Sequence, residues 1–237
     1  MQHYFGTIVS GKAILEGNQI HHLINVKRAQ AGEKIEVTDD GETYLCLVQE
    51  LDPPEILVLE KVETKRELDN HITLAFATLK SDHNELIVLK GTELGIDSFV
   101  PFLSARTIVQ PKEKEDNKIL RLRKIAGEGA AQCRRNAIPT VSGYLDFSEV
   151  VKLGADVKLL AYEGMAGASD TLLEVAKDIK KGQTILLLIG PEGGFSHEEA
   201  RLALDYDFRL VSLGRRILRA ETAALYGASV LAALSER

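Results

Sequence analysis

The stretch Thr184–Ser196, with the sequence TILLLIGPEGGFS, decides the fold class of this chain. Residues 185–189 are apolar without alternation, which is typical of a strand buried on both faces of a parallel sheet. A glycine-rich loop follows at once, and Ser196 with Glu199 predicts a capping box that begins a helix. This order favours an α/β unit with a ligand at the carboxyl end of the strand. A tight turn without a ligand is the alternative.

The second informative stretch is Ser212–Ala223, with the sequence SLGRRILRAETA. It too runs from a predicted strand through a glycine into a predicted helix, and two such strand ends can flank one pocket. The side chains expected to project into that pocket are Arg216, Arg219, Glu221 and Thr222. The alternative is that Glu221 is a surface acid near a helix N-terminus, ion-paired with Arg219.

From residue 71 onwards, predicted strands and helices alternate along the chain. The predicted strands are 72–79, 98–103, 157–162, 184–189 and 209–213, and the predicted helices are 82–94, 116–135, 171–180, 196–205 and 220–235. Alternation of this kind predicts an α/β fold with a parallel sheet flanked by helices.

The first part of the chain has a different pattern. Short β-rich segments at 8–9, 34–38, 44–48 and 56–62 are separated by turn residues, and 18–29 is predicted to be helical. A small β-barrel or sandwich fits this pattern. The polar stretch Glu63–Asn70 is the predicted linker, so we expect domains at 1–68 and 69–237.

Composition limits the class of protein. Apolar residues make up 45% of the chain and aromatic residues only 5%, so the core must be mostly aliphatic. The N-terminus has no signal-peptide pattern, and the apolar runs are too short to cross a bilayer. Cys46 and Cys133 lie far apart without paired spacing, which argues against a zinc site or a disulfide framework. We therefore expect a cytoplasmic protein without a membrane partner or bound metal.

Charge is distributed unevenly along the chain. The net charge is −6, and residues 1–68 carry seven Lys and Arg against twelve Asp and Glu. Residues 103–135 carry nine basic against four acidic residues. The densest basic group consists of Arg121, Arg123, Lys124, Arg134 and Arg135. Such a group indicates either a nucleic-acid contact or a solvated helix face.

The glycine loop lacks two common nucleotide-binding patterns. No Lys follows its glycines as in GxxxxGK[ST], and the spacing is not GxGxxG. ATP and NAD are therefore poor candidates, and a nucleotide hydrolase is disfavoured.

Residues 189–196 (IGPEGGFS) and 212–225 (SLGRRILRAETAAL) closely resemble the C-terminal signature of the 16S ribosomal RNA uracil-N3 methyltransferase family. That family belongs to the SPOUT class, whose chain forms a trefoil knot around the cofactor pocket. Weaker similarity extends over nearly the whole chain. It includes residues 22–28, Lys80, Glu85, Lys90, Thr92–Gly95, Ser104–Arg106 and Gln132–Pro139.

Three residues depart from the family pattern. His83 stands where the family commonly has Lys, Arg134 where Gly is usual, and Lys27 where an apolar residue is usual. All three lie outside the two C-terminal loops, so they affect the expected RNA contacts rather than methyl transfer.

The resemblance implies a knotted SPOUT-type domain, an N-terminal PUA-like RNA-binding barrel and a homodimer. It implies S-adenosyl-L-methionine as the cofactor and 16S rRNA, within an assembled or nearly assembled small ribosomal subunit, as the substrate. The residues expected to hold the cofactor are Leu160, Tyr162, Ile189, Gly190, Gly194, Leu213, Gly214, Ile217, Leu218 and Thr222. The residues expected to contact RNA are Arg28, Lys80, Arg106, Arg121 and Arg123.

N3 of uracil carries a proton, so the site needs a base or a cation that stabilises the uracil anion. Arg219 is the candidate cation, with Arg135 reaching in from a second chain, and Glu221 is the candidate base. Two other functions are compatible with the sequence: 2′-O-ribose methylation by the same fold, and a non-catalytic RNA-binding ribosome-assembly factor. The sequence identifies neither the target nucleotide, the proton acceptor nor the stage of ribosome assembly.

Overall fold

The computed structural model describes residues 1–80, 82–108, 115–165 and 170–236. These residues form two compact units. One unit comprises residues 1–67 together with 130–138, and the other comprises 68–129 together with 139–237. The sequence had not predicted that 130–138 groups with the N-terminal part of the chain. Each unit has its own buried apolar core.

The N-terminal unit is built on a six-stranded sheet in the described part of the chain. Its strands are β1 (Gln2–Phe5), β2 (Thr7–Val9), β3 (Lys12–Ile14), β4 (Lys34–Asp39), β5 (Glu42–Leu51) and β6 (Pro54–Val62). Their order is β1-β4-β5-β6-β3-β2, and only β1 and β4 pair in parallel. Ile35, Val37, Cys46 and Val48 are fully buried between the strands and the helical turn. The prediction of a small β-rich N-terminal domain is confirmed.

The helix of this unit is shorter than the predicted 18–29. An α-helix, α1 (Gly17–His21), continues as a π-helical turn over His22–Val26 and ends there. The buried side chain of Leu23 holds this turn against the sheet. The backbone of Arg28 is left-handed, with φ +53°, so the chain cannot continue as a right-handed helix to residue 29.

The C-terminal unit contains a sheet in which every observed strand pair is parallel. Its strands are β7 (His71–Ala77), β8 (Ser98–Leu103), β9 (Thr140–Val141), β10 (Leu145–Asp146), β11 (Val157–Ala161), β12 (Thr184–Ile189) and β13 (Arg209–Val211). The order is β10-β8-β7-β12-β11-β13, with β9 beside β8. Strand β12 is central and Ile185–Ile189 is buried, as its unbroken apolar run predicts.

Helices cover both faces of this sheet. They are α2 (His83–Glu93), α3 (Glu115–Cys133), α4 (Phe147–Val150), α5 (Leu172–Ala176), α6 (His197–Asp205) and α7 (Ala220–Ser235). Alternate residues of β12 enter different cores, because successive side chains point to opposite faces: Leu187 packs in one core and Leu186 in the other. The predicted α/β architecture, a parallel sheet flanked by helices, is confirmed.

Helix α7 packs unusually close to β12. A Cβ atom on Gly227 would lie 2.5 Å from Cδ2 of Leu187, so this position needs glycine. Ala223, Ala224 and Ala228 continue the same buried face of small residues. The close packing holds the first turn of α7 beside the carboxyl end of β12.

Some predicted boundaries were wrong or incomplete. Strands β1, β3, β9 and β10 and helix α4 were not predicted, since elements of two to four residues carry almost no periodic signal. Helix α5 ends at Ala176 rather than 180, and α3 ends at Cys133 because Arg134 has φ +62°.

The predicted linker Glu63–Asn70 contains neither helix nor strand, yet its side chains are fixed. In the N-terminal unit, Arg66 donates two hydrogen bonds, of 2.8 and 3.0 Å, to the carboxylate of Glu36. In the C-terminal unit, the buried amide of Asn70 donates to the carbonyl oxygens of Lys180 and Gln183.

Candidate functional site

The carboxyl ends of β11, β12 and β13 surround one cavity of about 490 Å³. These three strands are parallel neighbours, so their ends lie at the same edge of the sheet. The lining residues are His83, Ala161, Tyr162, Glu163, Ile189, Gly190, Pro191, Glu192, Gly194, Phe195, Ser212, Leu213, Gly214, Arg216, Ile217, Leu218, Arg219, Ala220, Glu221 and Ala223. The two glycine loops singled out in the sequence therefore form a single site.

The loop after β12 is a tight turn. The amide of Gly194 donates a 2.9 Å hydrogen bond to the carbonyl of Pro191, and Gly194 has φ +65°. A Cβ atom at Gly194 would lie 3.0 Å from Oε1 of Glu163, which follows β11. Phe195 is buried and stacks on Phe102, which anchors the loop in the core. The glycine thus leaves room between two neighbouring strand ends.

The loop after β13 is held by one side chain. The hydroxyl of Ser212 accepts a 3.1 Å hydrogen bond from the amide of Gly214 and donates a 3.0 Å bond to its carbonyl. Beyond this turn, Arg215 and Arg216 are exposed, and Ile217 is 82% exposed although it is apolar. Several side chains of this loop are therefore exposed, although most of its residues line the cavity.

The first turns of α2 and α7 meet at the cavity. Arg219 is the N-cap residue of α7, and Glu221 follows in the first turn. Nδ1 of His83, the first residue of α2, lies 3.5 Å from Oε2 of Glu221. No ion pair joins Arg219 to Glu221 among the described residues, so the alternative reading of Glu221 as the ion-pair partner of Arg219 is wrong for this structure.

Most of the predicted cofactor residues line the cavity. Those that do are Tyr162, Ile189, Gly190, Gly194, Leu213, Gly214, Ile217 and Leu218. Leu160 does not, because its side chain points into the core between β11 and the helices and is fully buried. Thr222 does not either, because it lies on the exposed side of α7. Of the predicted catalytic residues, Arg219 and Glu221 line the cavity.

Arg135 lies elsewhere. Its guanidinium is buried in the N-terminal unit and donates to the carboxylate of Glu67, 2.9 Å from Nε. The other carboxylate oxygen of Glu67 accepts from the amide of Asn136, at 2.7 Å. Burying a charge is costly unless it is paired, so this guanidinium is committed to its own chain. The guanidinium that was expected to reach into a second chain's site therefore has a carboxylate partner within its own chain.

The predicted RNA-contacting residues belong to both units, one to the N-terminal unit and four to the C-terminal unit. Arg28 is exposed on the N-terminal unit, and Lys80 is exposed just before α2. The other three are already bonded: Arg106 to the carbonyl of Gly193, Arg121 to Glu85, and Arg123 to the carbonyl of Val141.

Sequence reasoning missed three ionisable residues of the cavity. Glu163 and Glu192 each follow a predicted strand closely, so the rule that ligands bind at carboxyl strand ends could have included them. His83 was noted only as a departure from a family pattern. Its approach to Glu221 depends on the packing of α2 against α7, which no local signal reveals.

The described residues contain no helix of the length and apolarity needed to span a bilayer. They also contain no group of three or more side chains placed to hold a metal ion.

Two family profiles match this chain. The RNA methyltransferase domain matches residues 66–232, and the RNA methyltransferase PUA domain matches residues 15–61. Ribosomal RNA small subunit methyltransferase E of Bacillus subtilis is 34% identical over 230 residues, which cover 94% of this chain and 90% of that protein. The protein of the same name from Synechocystis is 34% identical over 231 residues, 97% of this chain and 75% of that protein.

Among solved structures, ribosomal RNA small subunit methyltransferase E from Neisseria gonorrhoeae, bound to S-adenosyl methionine, superimposes with a TM-score of 0.87. The two chains are 27% identical, and the match covers 99% of this chain and 98% of the other.

Proposed function

The chain belongs to the ribosomal RNA small subunit methyltransferase E family, and from this premise we propose that it methylates N3 of one specific uridine in 16S rRNA. The methyl donor in this proposal is S-adenosylmethionine, and the substrate is an assembled or nearly assembled small ribosomal subunit. The observation that carries the proposal is the single cavity enclosed by three adjacent strand ends, two of which carry glycine loops.

The residues of the cavity fit this cofactor. A volume of about 490 Å³ falls in the range of small-molecule sites. Because Gly194 has no side chain, it leaves a space beside Glu163 that a Cβ atom would fill. Carboxylates at Glu163, Glu192 and Glu221 can face the positive groups of the molecule. Main-chain groups at Ile189, Leu213 and Ile217–Leu218 are the candidates for contact with the adenine.

When bound, the cofactor supplies a methyl group already activated on a sulfonium, so the protein mainly has to orient the reactants. Arg219 is the candidate to stabilise the negative charge that develops on the uracil ring, because it lines the cavity and no ion pair holds its guanidinium in the described part of the chain. Glu221 is the candidate acceptor of the N3 proton in this turn. Its carboxylate lies 3.5 Å from Nδ1 of His83, so the protonation of each group affects the other.

The target base must leave its stack before N3 can enter the cavity. We propose that Arg28 and Lys80 contact phosphates, and that Arg106, Arg121 and Arg123 exchange their present partners for RNA. The pair of Arg121 with Glu85 is exposed, and exposed ion pairs contribute little stability, so this exchange costs little. RNA affinity should then fall steeply with salt. The resemblance also implies a homodimer, which sedimentation of the full chain would test.

The direct test is to incubate the full chain with S-adenosylmethionine and unmodified small ribosomal subunits. Mass spectrometry of the digested RNA should find 3-methyluridine at a single position, with a much slower reaction on naked 16S rRNA. Recovery of 2′-O-methyluridine would instead show that the protein methylates the ribose 2′-oxygen. Cofactor binding in calorimetry without methylation of any substrate would favour a non-catalytic assembly factor.

Replacing Arg219 tests its assigned role. Arg219→Ala should lower the methylation rate by about 10²-fold or more, because it removes a charge that acts mainly in the transition state. Cofactor affinity, measured by calorimetry, should change little. Arg201→Ala, at an exposed position on α6 away from the cavity, serves as the matched control. An unimpaired rate in Arg219→Ala would refute the assignment.

A further inference from the structure

His83 has an unusual position among the cavity residues. It is the first residue of α2, and its ring lies against the first turn of α7. Nδ1 is buried and makes no hydrogen bond, while the side chain as a whole is 41% exposed. No hydrogen bond to Nε2 is present in the described part of the chain, and His83 lines the cavity. One nitrogen thus faces the interior and the other is available to a ligand.

The buried nitrogen has one evident partner. Oε2 of Glu221 lies 3.5 Å from Nδ1, slightly beyond a good hydrogen bond, and the Glu221 side chain is only 14% exposed. A buried polar atom without a partner is unfavourable, so a small shift that closes this gap is favourable. Catalytic hydrogen bonds are often long in ligand-free sites and tighten on binding. In the closed pair, Nδ1–H donates to the carboxylate and Nε2 carries the lone pair.

We propose that His83 is the catalytic base of this enzyme and that Glu221 is the positioning residue that orients its imidazole. The inference rests on the proposed function and refines it, because it makes His83 rather than Glu221 the acceptor of the N3 proton. The N3–H bond of the uracil breaks, the proton binds Nε2, and the electron pair stays on N3. Glu221 stabilises the imidazolium, and Arg219 faces the uracil anion. The electron pair on N3 then forms the bond to the methyl carbon. The carbon–sulfur bond breaks at the same time, and its electron pair stays on sulfur.

The other ionisable groups around His83 are less suitable bases. Those that line the same cavity are Glu163, Glu192, Arg216, Arg219 and Glu221. On and beside its own helix, Glu85 is paired with Arg121, Lys90 is paired with Glu93, and Asp82 and Lys80 precede it. A carboxylate is ordinarily a weak base near neutral pH, whereas the basicity of an imidazole is suited to proton transfer at that pH. Among the described lining residues, only His83 combines such a group with an orienting carboxylate.

The pH dependence of single-turnover methylation tests the base. In the wild-type protein, the rate should rise with pH as an imidazole loses its proton and then level off. His83→Gln should lower the rate by about 10²-fold or more and remove this rise, since general bases contribute that much. Cofactor affinity should stay within about twofold, because Gln keeps a polar group of similar size. His83→Ala should regain part of the rate when imidazole is added to the buffer.

The matched control is another histidine–carboxylate pair. Nδ1 of His71 lies 3.6 Å from Oδ1 of Asp97, but this exposed pair lies outside the cavity. His71→Gln should therefore keep the wild-type rate and pH profile. If His83→Gln also keeps both, the inference is overturned.

His83→Lys separates a base from a positioning cation. An amine gives up its proton at higher pH than an imidazole, so a base at this position should move the rise of the rate to higher pH by about one unit or more. A lysine that only pairs with Glu221 would instead support full activity down to acidic pH. The second result would overturn the inference.

A readout without cofactor or RNA tests the role of Glu221. Nitrogen-15 chemical shifts of the His83 ring, assigned by comparison with His83→Gln, report which nitrogen carries the proton. When the ring is neutral, the wild-type protein should show the Nδ1–H tautomer, and Glu221→Leu should populate Nε2–H. An unchanged tautomer in Glu221→Leu would contradict the positioning role. If the wild-type protein makes no 3-methyluridine, the proposed function fails; if it does and the His83 variants do too, only this inference fails.

Discussion

At the scale of single residues, the backbone at Gly194 determines how much space the cavity has. Its positive φ is costly for any residue with a side chain, and the position of its missing Cβ is 3.0 Å from the carboxylate of Glu163. Conformation and space are therefore two separate reasons for glycine here. They can be separated experimentally, because another glycine has the first property without the second.

Gly194→Ala should weaken S-adenosylmethionine binding about tenfold or more, which corresponds to about 1.4 kcal/mol. The added methyl group must displace the carboxylate of Glu163, which lines the cavity, and the left-handed backbone adds about 1 kcal/mol of instability. Calorimetric titration measures the affinity, and chemical denaturation measures the stability.

Gly182→Ala is the matched control. Gly182 has φ +82° and no atom within 4 Å of its missing Cβ. This variant should lose similar stability and bind the cofactor normally. Equal affinity in the two variants would show that the space beside Glu163 is not used by the cofactor.

At the scale of elements, the start of α6 fixes the glycine loop of β12 to the end of β8, two strands away in the sheet. Glu199 is buried, and one of its carboxylate oxygens accepts hydrogen bonds from the hydroxyl of Ser104 and the amide of Ala105, just after β8. The other oxygen accepts from the amide of Ser196 in the capping box. One side chain thus joins the loop of β12 to the end of β8.

Glu199→Ala should lower the free energy of unfolding by about 2–3 kcal/mol, because several hydrogen-bond donors to a charged group lose their acceptor in a buried place. Urea denaturation followed by circular dichroism measures this change. Glu198→Ala, at the exposed position one residue earlier, should have little effect. A Glu199→Ala protein as stable as the wild type would contradict the structural role of this carboxylate.

At the scale of the whole molecule, stability depends on pH through a histidine in the N-terminal unit. Burial lowers the pKa of His3 to about 4, and nearby charges modify this shift, Glu36 opposing it and Arg66 adding to it. His3 therefore stays neutral in the folded protein when an ordinary histidine is already protonated. Between pH 6.5 and 4 the unfolded chain binds the extra proton, so folding stability falls as pH falls through this range.

We expect acidification from pH 6.5 to 4 to cost the wild-type protein on the order of 2 kcal/mol more than His3→Gln, which has no titrating group at this position. Denaturation at a series of pH values gives the difference between the two proteins. His21→Gln, an exposed position in the same unit, should behave like the wild type. Parallel pH curves for wild type and His3→Gln would contradict the burial of a neutral His3.

The α/β class and the two loops of the cavity could be predicted from the sequence alone. The unbroken apolar run of β12 required a strand buried on both faces, and the glycines after β12 and β13 marked the two loops of the cavity. These signals consist of residues adjacent in the chain, so they can be recognised without the tertiary structure.

The tertiary structure decided which charged groups meet. Arginine is a residue type that often binds RNA or takes part in catalysis. Arg135 nevertheless forms an ion pair with Glu67, which is distant in the sequence and belongs to the N-terminal unit. Glu221 was expected beside Arg219, two residues away, and instead faces His83 from a different helix. Ion pairs and hydrogen bonds form over a few ångströms between residues far apart in the chain, and only the packing of helices and strands brings such residues together.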